Sequence, residues 1–166
     1  MIGRAIIVAA ILSLVAATTS CHRAVHTDPV AVAADSLRGI VSITGTSFEQ
    51  AVMLRTDNGT IALAANAADS AALSRMGGID VMVLGTRESR RFRVASFRAV
   101  TVSGTPVIDG VVREDDGRIS IETPEGRIAL GNPPARLRRL VGARVWIGGP
   151  LATGPNQFGV IAPATR

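Results

Sequence analysis

The sequence predicts a mainly β protein built from two similar five-stranded units. Two stretches carry this prediction: L-R-T-D-N-G-T-I-A-L at residues 54–63 and I-E-T-P-E-G-R-I-A-L at residues 121–130. Each has a Thr, a turn that ends in Gly, and an I-A-L run after it, which is typical of a β-hairpin. The match continues downstream in two further pairs of segments, 77–81 with 141–145 and 92–94 with 158–160. Self-similarity of this kind indicates a repeated structural unit.

The first unit covers residues 37–102. Alternation of apolar and polar residues from Gly39 to Thr44 predicts a half-buried strand. Asp57-Asn58-Gly59 predicts a tight hairpin turn, because Asn and Gly accept positive φ. Asn66 as N-cap and the glycines at 77 and 78 delimit a short helix. The predicted strands are 39–44, 51–55, 60–64, 79–84 and 91–102, the last bent near residues 95 and 96, and the helix lies between the third and the fourth.

The second unit covers residues 107–166, after a linker at 103–106. Asn132 is the predicted N-cap of its helix, with Pro133 at the first helical position and Gly142 at the end. Glu114, Asp115 and Asp116 precede Gly117, and we interpret them as turn residues. A calcium site is the alternative, but it needs six or more oxygen ligands. The predicted strands are 107–113, 118–123, 127–130, 143–147 and 157–161.

The order of three strands, one helix and two strands resembles the OB-fold, a five-stranded Greek-key barrel with its helix between strands three and four. The resemblance implies two tandem OB-like barrels. It also implies a ligand face on strands two and three, flanked by the loops after strands one and four, here residues 45–50 and 86–90 in the first unit. One continuous sandwich or barrel of ten strands and a pair of SH3-like barrels are the alternatives.

Residues 1–20 have the pattern of a signal peptide. Arg4 is followed by an apolar run from Ala5 to Ala17, broken only by Ser13 and too short for a comfortable membrane span. Thr18-Thr19-Ser20 then leads into Cys21, the only cysteine. This resembles the lipobox of bacterial lipoproteins, although Thr18 stands where Leu is commonest. The resemblance implies a chain exported and anchored to the cell envelope by a lipid on Cys21. An ordinary secretory signal, with Cys21 as an unpaired thiol, is the alternative.

Residues 21–36 are predicted to be a flexible tether, since they show no rhythm of turns and strands. His22 and His26 lie in this tether, and we interpret them as solvated because no further zinc ligand is near them in the sequence. The two predicted units contain no His and no Cys, which excludes thiol nucleophiles and His-based acid–base chemistry there. We therefore expect no enzyme activity, no cofactor and no metal site.

All 18 basic residues are arginines, and several of them cluster. Arg87, Arg90 and Arg91 fall in or beside the loop after the fourth strand and are the candidate residues for binding an anionic group or partner. A second cluster contains Arg136, Arg138, Arg139 and Arg144. Solvated strand edges and helix faces are the alternative interpretation of both clusters.

The sequence thus favours a non-catalytic, lipid-anchored binding or scaffold module of the envelope. Its expected partner is an envelope protein or an anionic glycan or lipid. We do not expect nucleic acid as a partner, because aromatic residues for stacking make up only 3% of the chain. The alternatives are an OB-fold protein that binds nucleic acid or oligosaccharide, and a hydrolase that depends on carboxylates alone.

Replacing Cys21 by Ala should remove the lipid anchor. The expected result is an intact mass without lipid and loss of the protein from the membrane fraction, because the lipid on Cys21 is the predicted attachment of the mature chain. Intact-mass spectrometry and fractionation measure both. A variant that stays in the membrane fraction unchanged would show that Cys21 is not the anchor.

Overall fold

Five strands of the N-terminal half close into a β-barrel. The computed structural model describes residues 34–46 and 49–165. The elements of this half are β1 (Asp35–Thr46), β2 (Glu49–Thr56), β3 (Gly59–Ala64), α1 (Ala67–Arg75), β4 (Asp80–Arg87) and β5 (Arg91–Val102). Neighbouring strands pair in the order β1-β2-β3-β5-β4 and back to β1; β3 and β5 run parallel, and every other pair is antiparallel. The predictions of a mainly β chain and of a first five-stranded barrel are confirmed.

The helix α1 begins where the sequence predicts. The Asn66 side chain accepts a hydrogen bond from the backbone N–H of Asp69 at 2.9 Å, so Asn66 is the N-cap. Leu73 and Met76, which share one face of the helix, are fully buried in the barrel core. Each buried side chain of this size stabilises the fold by about 1.5–3 kcal/mol. The helix therefore supplies part of the core of the barrel.

Two irregularities bend β5. Leu84 pairs with Ser96 and Gly85 with Val94, so Ala95 is an extra residue in β5. A second shift separates the pairs made by Asp80 and Val81. Bulges increase local twist and bend a strand, which a small barrel needs for closure. The predicted bend near residues 95 and 96 lies at the first of them.

The C-terminal half forms an open sheet. Its elements are β6 (Thr105–Asp115), β7 (Arg118–Thr123), β8 (Gly126–Ala129), α2 (Ala135–Arg138), β9 (Arg144–Gly148) and β10 (Gln157–Ala162). The strands pair in the order β8-β7-β6-β9-β10. This order matches that of the first half, but within the described residues β8 pairs only with β7, and β10 only with β9. The predicted second closed barrel is therefore not confirmed.

The sheet stays open because a loop occupies the place of the closing pair. In the barrel, residues 62–64 of β3 pair with β5. The corresponding strand β8 ends at Ala129, and the backbone N–H of Gly131 donates to the carbonyl of Leu151 in the loop between β9 and β10. A Cβ at Gly131 would collide with the carbonyl of Ala152, so glycine permits this close approach.

The ends of two predicted elements differ from the sequence prediction. The N-cap of α2 is Pro134 and makes no side-chain hydrogen bond, so the prediction of Asn132 as N-cap was wrong. Pro134, the second residue after Asn132, lacks one of the two N–H groups that a cap at Asn132 could bind. Between the halves, only Ser103 and Gly104 form a turn, both at positive φ, and Thr105 and Pro106 already belong to β6.

Corresponding backbone contacts recur in the two halves. The carbonyl of Val41 accepts from Gly78, and its N–H donates to Ile79; Val112 makes the same pair of bonds with Gly142 and Ala143. In each half, a residue of the first strand therefore forms backbone hydrogen bonds with the segment that follows the helix. The hairpin turns also match, since Thr56 donates its hydroxyl to Gly59 and Thr123 donates to Gly126, both at 2.9 Å.

The two halves pack against each other within a single compact unit. Ile161 of β10 is fully buried in the core of the barrel, beside partly buried Val107 and Trp146. A second core, around Ile121 and Leu137, lies inside the C-terminal half. The fold thus has two hydrophobic cores, and β10 of the C-terminal half contributes a residue to the core of the barrel.

Replacing Gly39 or Gly110 by Ala should destabilise the protein by about 1–3 kcal/mol. These two glycines occupy corresponding positions in β1 and β6, where a Cβ would collide with the carbonyl oxygens of Arg55 and Glu122. Urea denaturation measures the change. Gly77→Ala is the matched control: its Cβ would have no neighbour closer than 3.9 Å, and we expect no loss of stability. Equal urea midpoints for all three variants would contradict the close approach of these carbonyl oxygens to Gly39 and Gly110.

Candidate functional site

A groove of about 480 Å³ lies at one end of the barrel. Three chain segments line it: the start of β1 at residues 36–38, the turn between β2 and β3 at residues 56–61, and the connection from β4 to β5. The last segment contributes Arg87, Ser89 and Arg90. The groove therefore joins the loop after the fourth strand to the hairpin of strands two and three.

The hairpin turn has a defined shape because its own groups hold it. The Thr56 hydroxyl donates to the carbonyl of Gly59 at 2.9 Å and accepts from the N–H of Asn58 at 3.3 Å. Gly59 has φ of +120°, a value that favours glycine. Asp57 and Asn58 are thus presented at the exposed tip, on one wall of the groove.

Arg87 and Arg90 supply positive charge without a matching carboxylate. Both side chains are exposed. No Asp or Glu of the described residues forms an ion pair with either of them. Asp57 is the one acidic side chain among the described residues that line the groove. Two guanidinium groups are therefore open to a ligand or to solvent, each with donors arranged to bind a carboxylate or a phosphate.

Arg38 lines the same groove, but Asp80 holds it. Its guanidinium donates to Asp80 through Nε and Nη2, the closer contact being 2.7 Å. Asp80 also accepts from the Thr101 hydroxyl at 3.1 Å. The hydrogen bond and the charge of Asp80 raise the pKa of Arg38 above its ordinary value. Arg38 therefore shapes the wall of the groove and adds less free charge than Arg87 and Arg90.

Arg91, the third predicted residue, has a different role. It does not line the groove and instead pairs with Glu88 at 2.7 Å, and Arg93 pairs with the same carboxylate at 2.6 Å. The structure thus brings together Arg87 and Arg90 but not Arg91. The other flanking loop predicted from the sequence, residues 45–50, includes Ser47 and Phe48, which lie outside the described residues. Its described residues do not line the groove.

The second arginine cluster divides into two parts. Arg136, Arg138 and Arg139 are exposed at α2, where Arg138 donates to the carbonyl of Gly117 at 3.3 Å. Arg144 instead binds Asp109 through Nε and Nη2, both at 2.8 Å, between the two halves of the protein. Sequence analysis missed this pair, because the partners are 35 residues apart and only strand pairing brings them together.

Other kinds of site receive no support from the described part of the chain. Within residues 34–46 and 49–165, no three His, Cys, Asp or Glu side chains gather as a metal-binding group. Among the helices of those same residues, none has the length and apolar content to cross a membrane. Cys21, the predicted lipidation site, lies outside the described residues, as do His22 and His26.

Comparison of the chain with family models, with curated proteins and with solved structures finds no match.

The Glu88 carboxyl should titrate below its ordinary pKa of 4.5, because hydrogen bonds from Arg91 and Arg93 stabilise its charged form. Its contribution to stability is then present above the unfolded-state pKa and is lost as the pH falls through the lower folded-state pKa. Carboxyl NMR titration measures the value. In Arg91→Gln the pKa should rise toward 4.5, whereas Arg90→Gln should leave it in place. A Glu88 that titrates normally in the unaltered protein would exclude the pairing.

Proposed function

We propose that both halves are OB-like units and that the second is an opened version of the first. The strand order of the barrel, its parallel β3–β5 pair and the position of α1 between β3 and β4 support an OB-like assignment. The matching strand order and the recurring backbone contacts of the C-terminal half support a common plan. These features concern the fold alone, and what the protein binds depends on particular side chains.

We further propose that the protein is a non-catalytic binding module whose barrel-end groove holds an anionic group of its partner. The single observation that carries this proposal is the pair Arg87 and Arg90, exposed in one groove without a carboxylate partner among the described residues. Hydroxyl groups of Ser36, Ser89 and Thr60 line the same groove and add neutral donors and acceptors. Such a lining suits a phosphorylated or sulfated group, or a carboxylate on a glycan.

The proposed location is the bacterial cell envelope, with the chain anchored through Cys21. The support is the leader pattern of residues 1–21. An anchored binding module meets glycans, lipid head groups and envelope proteins, all of which offer anionic groups. Nucleic acid has less support as a partner, because Phe92 and Phe97 are buried and do not offer stacking surfaces.

Arg87→Ser with Arg90→Ser should weaken binding to a sulfated polysaccharide such as heparin. At about 1 kcal/mol per arginine, the double variant should bind roughly 30-fold more weakly and elute from the immobilised polymer at lower salt. The chain is tested at full length in neutral detergent. Thermal stability should not change, since neither side chain makes an ion pair within the described residues.

The matched control is Arg136→Ser with Arg139→Ser, which removes two exposed arginines from α2 and lowers the net charge equally. Equal losses in the two double variants would mean that only net charge matters and would contradict a specific groove. A large loss of thermal stability in the first variant would mean that Arg87 and Arg90 support the fold.

A further inference from the structure

A second concave site lies between the barrel and the open sheet. This cleft encloses about 780 Å³, within the range of roughly 300–1,000 Å³ that is typical of small-molecule sites. One wall is the outer surface of β4 and β5, and the other comes from β6 and from the turn between β7 and β8. It shares no lining residue with the barrel-end groove.

The walls of the cleft are mainly apolar. Met82 and Leu84 project from β4, and Val107, Val111 and Ile128 line the opposite side. Leu84 is 43% exposed and lines the cleft next to Met82, so apolar surface faces the open space of the cleft. An apolar ligand in the cleft would remove this surface from water and would gain about 25 cal/mol for each Å² covered.

Most of the carboxylates that line the cleft already accept hydrogen bonds from other residues. Asp109 accepts from Nε and Nη2 of Arg144 and from the backbone N–H of Ala99. Glu122 accepts from Arg113 at 2.6 Å. The remaining carboxylate, Glu125, is exposed on the turn between β7 and β8, where water screens its charge.

The two arginines that line the cleft have N–H groups without an acceptor among the described residues. Arg98 is exposed, and within the described residues it forms no ion pair. It stands directly opposite Met82 across the β4–β5 ladder, so its charge adjoins the apolar wall. Arg144 donates through Nε and Nη2, and Nη1 has no acceptor among the described residues. The cleft therefore combines an apolar wall with spare guanidinium donors.

We propose that this cleft binds a single-chain amphiphile with an anionic head group. The acyl chain lies along Met82 and Leu84, and the head group accepts hydrogen bonds from Arg98 and from Nη1 of Arg144. A carboxylate and a phosphate share this acceptor chemistry, so a fatty acid and an alkyl phosphate are both members of the class. The inference does not depend on the barrel-end groove, because different residues form the two sites.

Photo-crosslinking tests the proposal on the full chain in its membrane. A decanoate that carries a diazirine is added and irradiated, and tryptic peptides are analysed by mass spectrometry. Three peptides should carry the label, 76–87, 99–113 and 119–127, since they contain the walls of the cleft. Excess decanoate or decyl phosphate should suppress labelling, and whichever competes better identifies the head group. Decanol and decyltrimethylammonium should not.

Two variants and two matched controls make the result specific. Leu84→Asp and Arg98→Gln should each lower labelling of these peptides about tenfold, the ratio expected when one charge-assisted hydrogen bond or a comparable apolar contact is lost. Because Arg98→Gln removes the tryptic site after residue 98, the peptide 94–113 is measured in that variant in place of 99–113. Ile40→Asp replaces another exposed apolar residue, 37% accessible and outside the cleft, and Arg90→Gln replaces an arginine of the barrel-end groove. Both controls should label normally.

Three results would overturn the proposal: labelling spread evenly over the chain, competition by decanol as strong as by decanoate, or equal loss in the controls. Thermal melting of each variant checks that it is folded. Leu84 and Arg98 are both exposed, so we expect their replacement to leave the fold intact. Loss of labelling in Arg90→Gln alone would assign the probe to the barrel-end groove.

Discussion

The Arg144–Asp109 ion pair of the C-terminal half lies against β5 of the barrel and adds to the contacts by which the two halves meet. Arg144 of β9 binds Asp109 of β6 through two nitrogens, donates to the carbonyl of Phe97 at 2.5 Å, and lies 4.5 Å from the centre of the Phe97 ring. Asp109, only 5% exposed, also accepts from Ala99 of β5. The backbone ladder between β5 and β6 has only two residue pairs, so this cluster extends the connection between the halves. Replacing such a pair by apolar residues is often neutral, but removing one partner is costly, because a buried charge loses its compensation.

The same arrangement occurs in the barrel with the charges exchanged. Arg38 of β1 binds Asp80 of β4, and these residues correspond in position to Asp109 of β6 and Arg144 of β9. The Arg38 side chain is 54% exposed, whereas Arg144 is 28% exposed and touches the other half. An ion pair as exposed as Arg38–Asp80 contributes little to stability because water screens it, so the first pair mainly shapes the groove. Corresponding positions thus have different energetic roles because their surroundings differ.

The features that were predicted correctly from the sequence depend on interactions between residues close together in the chain. The Asp57-Asn58-Gly59 turn, the Asn66 cap and the bounds of β5 follow from residues that are adjacent in the chain. The opening of the second sheet could not be predicted in the same way, because it depends on a loop that reaches Gly131 from about 20 residues away. Of the three arginines selected from the sequence, Arg87 and Arg90 line the groove, whereas the pairing of Arg91 with Glu88 depends on the geometry of the β4–β5 connection.

An open sheet presents two edges on which another chain could add a strand, and these edges differ in their protection against self-association. β8 is only four residues long and carries Arg127, which pairs with Asp115, while the segment after it is bonded to Leu151. A short, charged edge is a poor template for edge-to-edge pairing. At β10, Arg75 of α1 donates to the carbonyl of Ile161 at 3.4 Å. The helix that supplies part of the barrel core therefore also occupies a backbone acceptor on β10 and makes this edge a poorer template for a strand from another chain.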